Sequence, residues 1–151
     1  MADQVKFCRI RLSNTQYKTL DTVAMLSLED RDTMFPTLVS IYESYCRYKQ
    51  FESVMPLFRS TVNDTNTDVF VYWDQDRPVA FSLVKRYDHW SVESLQFAWD
   101  YANPELRLGI ASIEHECAYY RREGFEYLYL GQVNEYKTQF EGYEQLGNPY
   151  V

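Results

Sequence analysis

Residues 91–130 read SVESLQFAWDYANPELRLGIASIEHECAYYRREGFEYLYL, and three periodicities follow one another within them. From 91 to 99 apolar and polar residues alternate, which predicts a strand with Glu93, Leu95, Phe97 and Trp99 on one face. A polar loop begins at Tyr101. Gly109 then opens a helix carrying Ile110, Ile113, Cys117 and Tyr120 on one face, and Gly124 ends it. Residues 125–130 are apolar or aromatic at nearly every position, as expected of a strand covered on both faces in the parallel part of a sheet. Strand, helix and strand of these lengths predict a βαβ crossover.

Upstream, two further strands, 69–73 and 79–85, flank a loop at 74–78, so that with 91–99 three consecutive antiparallel strands are expected. The polar stretch 60–68, STVNDTNTD, reads as a loop. Before it, Asn14 is expected to cap a helix bearing Leu20, Val23, Ala24 and Leu28. A second helix starts near Pro36 with Leu38, Ile41, Tyr42, Tyr45 and Tyr48 on one face, and a short turn holds Phe51, Val54, Leu57 and Phe58. Residues 7–12 alternate as a first strand, and the chain ends in a short helix and a tail. The order predicts an α/β fold on a mixed sheet.

The chain has 151 residues, 46% of them apolar and 17% aromatic, with no internal repeat or long linker, so a single domain spanning 1–151 is expected. Its formal net charge of −7 disfavours adhesion to a phosphate backbone, and nucleic acid is therefore a disfavoured partner. A cationic or amine-bearing partner suits that charge better. Cys8, Cys46 and Cys117 are odd in number and far apart, which speaks against a disulfide framework and a four-cysteine zinc site. Met1, Ala2, Asp3 and Gln4 do not open a targeting segment, and no apolar run approaches the roughly 20 residues that cross a bilayer. The expectation is a cytoplasmic protein without a membrane partner.

Chemistry is first sought in 103–112, NPELRLGIAS. Gly109 and Ala111 leave room for close approach where a helix exposes its first unpaired N–H groups, and Arg107 adds a fixed charge for a pyrophosphate. The same residues also read as a purely structural turn. In Glu114, His115, Glu116 and Cys117, successive helical side chains point about 100° apart and cannot all meet one ion, so no metal site is expected.

The small-residue turn between a third antiparallel strand and a crossover helix resembles the GNAT superfamily of N-acyltransferases. The pattern of that superfamily is Q/R-x-x-G-x-G/A; Leu106, Arg107, Leu108, Gly109, Ile110 and Ala111 match its last three positions and place Leu106 where Gln or Arg is usual. The segments SLQFAWDYANPELRLG, FEYLYLG and YKTQFEGYE, within residues 94–144, are similar to the C-terminal GNAT-like domain of arginyl-tRNA protein transferases. Here Arg107 stands for a Ser of that domain and Gly142 for the Pro of its last motif. The N-terminal cysteine-containing region of those transferases has no counterpart in this sequence.

The resemblance implies a GNAT-like fold and an acyl donor, acetyl-CoA or another acyl-CoA, lying between the third antiparallel strand and the parallel strand. Phe97, Ala98 and Trp99 would face its pantetheine arm, and Arg107, Leu108, Gly109, Ile110, Ala111 and Asn134 would complete the donor site. For their side chains, Phe97 and Trp99 read first as core aromatics, and the backbone role is independent of that. Tyr136, just after the parallel strand, is the implied acid for the leaving thiolate, since a phenol stays protonated at neutral pH. Glu93 is the candidate general base, with partial burial raising its pKa; it reads also as an exposed strand-end carboxylate. The implied reaction is direct acyl transfer, acetyl first, to an amine of a protein or small molecule. Two alternatives stand beside it: transfer from aminoacyl-tRNA, and a catalytically silent binding or assembly module. GNAT domains often form homodimers, which carries over as an option.

Overall fold

The computed structural model describes residues 6–51 and 56–147; Val54 of the expected turn and the first five residues lie outside them. The strands are β1 (Phe7–Arg11), β2 (Val23–Met25), β3 (Thr67–Asp74), β4 (Arg77–Arg86), β5 (Ser91–Trp99), β6 (Tyr127–Gln132) and β7 (Tyr143–Leu146). The helices are α1 (Leu28–Lys49), α2 (Arg59–Val62) and α3 (Leu108–Arg122). All seven strands form one sheet in the order β2-β3-β4-β5-β6-β1-β7. β5 and β6 run parallel, joined through α3, while β3 with β4 and β1 with β6 and β7 are antiparallel. The mixed α/β sheet and the βαβ crossover read from the sequence are both present.

The chain divides into two compact units. In the first, Leu20–Lys85 with Leu95–Ser112, a core gathers Leu38 and Ile41 of α1, Val62 of α2, Val69 and Val71 of β3, Phe81 and Leu83 of β4, and Ala98 of β5. Val71 pairs with Phe81 and Val69 with Leu83, so alternate residues of the hairpin share one apolar face. The second unit gathers residues up to Thr19, Arg86–Ser94 and the chain from Ile113 onward. It buries Cys8, Ile10, Val92, Cys117, Tyr120, Leu128 and Leu130.

Several expected elements differ. No helix follows Asn14: Leu12–Asn14 is a 3-10 turn and 23–25 are a strand. The Arg121 guanidinium donates to the carbonyls of Thr15 and Tyr17, occupying acceptors that a helix there would use, and β2 pairs with β3. The cap is Ser27 instead, whose Oγ accepts the Asp30 N–H, and one helix runs from Leu28 through Pro36 to Lys49. The 60–68 loop is shorter than expected, because α2 takes its first residues and β3 its last. The 74–78 loop shrinks to Gln75 and Asp76, with Gln75 at φ 56°.

β6 starts at Tyr127, not Phe125, and is not covered on both faces: Leu128 and Leu130 are buried, Tyr127 and Tyr129 half-buried. Phe125 belongs to the end of α3, its N–H donating to the Tyr120 carbonyl and its ring packing edge-on against Tyr120, past Gly124 at φ 91°. The expected tail holds a strand, β7, paired with β1. The expected short C-terminal helix is the 3-10 turn Glu135–Gln139.

The last difference concerns β5. Strict alternation places Leu95 and Phe97 together, yet Leu95 and Ala98 pack in the α1 core, and Gln96 bonds to Tyr42 of that same core. Phe97 instead meets Tyr72 edge-on, at 6.3 Å between centroids. The side-chain alternation therefore slips by one residue at Leu95 and Gln96, the signature of a β-bulge.

Candidate functional site

In the first unit, β5 ends at Trp99 and the chain reaches α3 through a 3-10 turn, Pro104–Leu106, and Arg107. Arg107 adopts the left-handed conformation, φ 49° and ψ 48°, which turns the chain sharply into the helix. Its carbonyl accepts the N–H groups of Ile110 at 3.1 Å and Ala111 at 3.0 Å. Those two donors of the first turn are thus occupied, and Leu108 and Gly109 are the positions whose N–H groups have no earlier helical carbonyl to meet. A Cβ built on Gly109 meets nothing within 4 Å, so open space adjoins this backbone. Leu108 is buried and anchors the turn, whereas the Arg107 side chain is exposed. Open space thus adjoins Gly109, and the N–H groups left over by the first turn are those of Leu108 and Gly109, two residues before Ile110 and Ala111.

The β5 segment beside it carries the bulge. A bulge leaves one residue unpaired and re-aims the strand. Ala98 and Trp99 are buried, Trp99 at 4% exposure, and Phe97 is half-buried against Tyr72. Their side chains therefore serve packing. The Tyr72 hydroxyl lies 3.1 Å from the Ser82 hydroxyl and 3.5 Å from the Ser112 carbonyl, tying β3 to the first turns of α3 within this unit.

In the second unit, Glu93 stands in register with Tyr129 of the parallel strand. Glu93 is half-buried and accepts a hydrogen bond from Tyr87. Burial and then the Glu93 charge push the Tyr87 phenol above its ordinary range. Sequence periodicity misses Tyr87 because it lies in the turn after β4, outside any repeating pattern. Tyr136 lies in the 3-10 turn after β6, 45% exposed, with its ring 6.4 Å from that of Phe140. Asn134 is exposed at the start of that turn, its carbonyl accepting the Lys137 N–H. Lys137 carries no signal in the sequence pattern, yet its Nζ donates to the carbonyls of Leu130 at 2.8 Å and Gln132 at 2.9 Å. It thereby fixes the end of β6 and the turn carrying Asn134 and Tyr136, and burial pulls its pKa down. Phe97, Ala98, Trp99 and 107–111 thus belong to one unit, Glu93, Asn134 and Tyr136 to the other.

His115, Glu116 and Cys117 are buried within α3. Burial, then the Glu116 charge, push the Cys117 thiol well up, leaving it protonated and inert. Among the described residues no helix is long and apolar enough to cross a membrane.

A seven-stranded mixed sheet with a parallel strand entered through a crossover helix defines a GNAT-like fold. Residues 37–147 match the family described as "Arginine-tRNA-protein transferase, C terminus", and the chain belongs to that family. No curated protein matches it. Among solved structures, it is similar to the C-terminal domain of a putative lysylphosphatidylglycerol synthetase from Agrobacterium fabrum, with TM-score 0.67 and 10% identity over 85% of this chain and 47% of that one. Similar too are Saccharomyces cerevisiae N-myristoyltransferase with bound myristoyl-CoA (TM-score 0.61, 12% identity, 95% of this chain and 48% of that one) and an aminoglycoside acetyltransferase from an uncultured soil metagenomic sample (TM-score 0.53, 18% identity, 77% and 79%). At these identities the likeness is one of fold. The chain spans about half the length of the first two. Family and fold together support an acyltransferase-like function.

Proposed function

We propose that the chain transfers an acyl group, acetyl first, from acyl-CoA to an amine of a protein or small molecule. The observation that carries this reading is the open space beside Gly109 at the first turn of α3. The N–H groups of Leu108 and Gly109 would hold the pyrophosphate, with the Arg107 side chain beside it. The main chain of β5 from Phe97 to Trp99 would pair with the pantetheine amides. The amine nitrogen attacks the thioester carbonyl, the C–N bond forms and the C–S bond breaks. Glu93 takes the proton lost by the attacking ammonium, and Tyr136 gives one to the departing thiolate. Orientation of the two reactants supplies most of the acceleration. The three free thiols accord with a reducing, cytoplasmic setting.

A thermal-shift series with acetyl-CoA, longer acyl-CoAs and free CoA tests the donor. At about 100 times its Kd a ligand adds roughly 2.7 kcal/mol, a readable shift. Gly109→Glu, which fills the space and adds a like charge, is expected to abolish that shift. A shift that survives the substitution, or none with any CoA in the wild type, rejects the reading. In a transfer assay, Tyr136→Phe is expected to lower kcat about a hundred-fold with KM unchanged, the scale of a lost proton donor. An unchanged kcat removes Tyr136 from the mechanism.

A second reading, transfer from an aminoacyl-tRNA donor, is favoured by the family match over 37–147. It predicts a salt-dependent shift with tRNA and none with CoA.

A further inference from the structure

At the C-terminal end of α1, within the first unit, aromatic rings gather from the core outward to the surface. Tyr48 and Tyr101 stack in parallel with centroids 3.9 Å apart and planes 12° from each other, and Tyr101 also lies 4.1 Å from Trp99. Tyr45 adds a ring parallel to Tyr101 at 6.2 Å, and Phe51 closes edge-on to Tyr45. The end of this stack is open: Tyr48 is 60% exposed and Phe51 49%. Tyr101 is held there at φ 57°, a conformation that non-glycine residues rarely adopt and that persists only where the surroundings enforce it.

Charge decides what such a stack receives. Lys49 lies 5.5 Å from the Tyr101 ring centroid and hydrogen-bonds to that residue's hydroxyl. A cationic ligand would meet a cation already in place. A planar group joined to an anion meets both an open π-face and a positive charge. We propose that Tyr48 is a stacking platform for a nucleotide base, with Lys49 set to receive the adjoining phosphate. Lys49 beside the open ring of Tyr48 makes this one local nucleotide-binding patch on a chain whose net charge is −7. Coenzyme A and the end of an RNA both present this chemistry. The proposal concerns binding alone and does not rest on acyl transfer.

Direct titration at low salt tests it, with free CoA and a fluorescein-labelled CCA trinucleotide as the two probes. At least one is expected to bind, and Tyr48→Ala to weaken that binding about ten-fold or more while Tyr48→Phe retains it. Lys49→Gln, which leaves the rings intact, is expected to weaken binding several-fold and flatten its salt dependence. Loss confined to the trinucleotide identifies an RNA end as the source, and loss confined to CoA identifies the donor's own nucleotide. Gly109→Glu run in parallel reports the pyrophosphate turn separately, so its failure and that of the platform are told apart. The proposal is overturned if neither probe binds the wild type, or if Tyr48→Ala binds both as the wild type does.

Discussion

Gly142→Pro is expected to lower the melting temperature by about 10 °C. Gly142 has φ 71°, and a Cβ placed on it runs into the main-chain carbonyl of Arg11. The proline ring fixes φ near −65°, so this substitution demands both a new backbone conformation and relief of a backbone clash. The same junction carries the Arg11 N–H to Gly142 carbonyl bond, 2.8 Å long, and the β1–β7 pairing follows directly from it. A cost of about 4 kcal/mol is on the scale of the most damaging single substitutions, and for a chain of this size each kcal/mol moves the melting point by roughly 2–4 °C. Gly142→Ala meets the same carbonyl and is expected to lose somewhat less. A Gly142→Pro protein as stable as the wild type would show that this turn tolerates negative φ.

Acidification supplies the second large effect. His115 is 6% exposed, and burial, reinforced by the Arg122 charge, pulls its pKa down to about 4. Its ordinary value is near 6.5, so between these limits the unfolded chain binds a proton that the folded chain does not. The sign is therefore a loss: stability falls as pH drops through this window and levels off, for this group, below about pH 4. The loss between pH 7 and 4.5 is on the order of 2 kcal/mol. Glu144 acts at lower pH, because its bonds to Arg11 and Arg9 hold its carboxyl below the usual range. Denaturant unfolding of wild type and His115→Gln at pH 7, 5.5 and 4.5 checks the assignment. The two stability curves are expected to converge as pH falls, whereas parallel curves would assign the loss to other groups.

The crossover was legible because its three periods are long and its glycines mark real turns: Gly109 stands in the first turn of α3, and Gly124 just past its end. The N-terminal half was less legible, since what arranges it is not local. Arg121, a hundred residues away in sequence, claims the carbonyls of Thr15 and Tyr17. β2 is a strand because β3 offers it an edge, not because Val23, Ala24 and Met25 alternate. Ser27 caps α1, and its signal in the sequence is Ser followed three residues later by an acid, Asp30. For the site, glycine and small residues at the α3 turn announced open backbone, which depends on size alone. The bulge at Leu95 and Gln96 was hidden, because β-periodicity assumes the very alternation that it breaks. Tyr87 and Lys137 were hidden too: the sheet's register brings Tyr87 to Glu93, and Lys137 acts on carbonyls, which no sequence pattern displays.

The central claim, that the first turn of α3 receives the donor's pyrophosphate, is tested most directly by following backbone amide resonances while acetyl-CoA is titrated into the isotopically labelled chain. The account predicts saturable shifts at Leu108 and Gly109, larger than those elsewhere in α3, and their loss in Gly109→Glu. Saturable binding that moves other amides and leaves these two unmoved, or no binding at all, would contradict it.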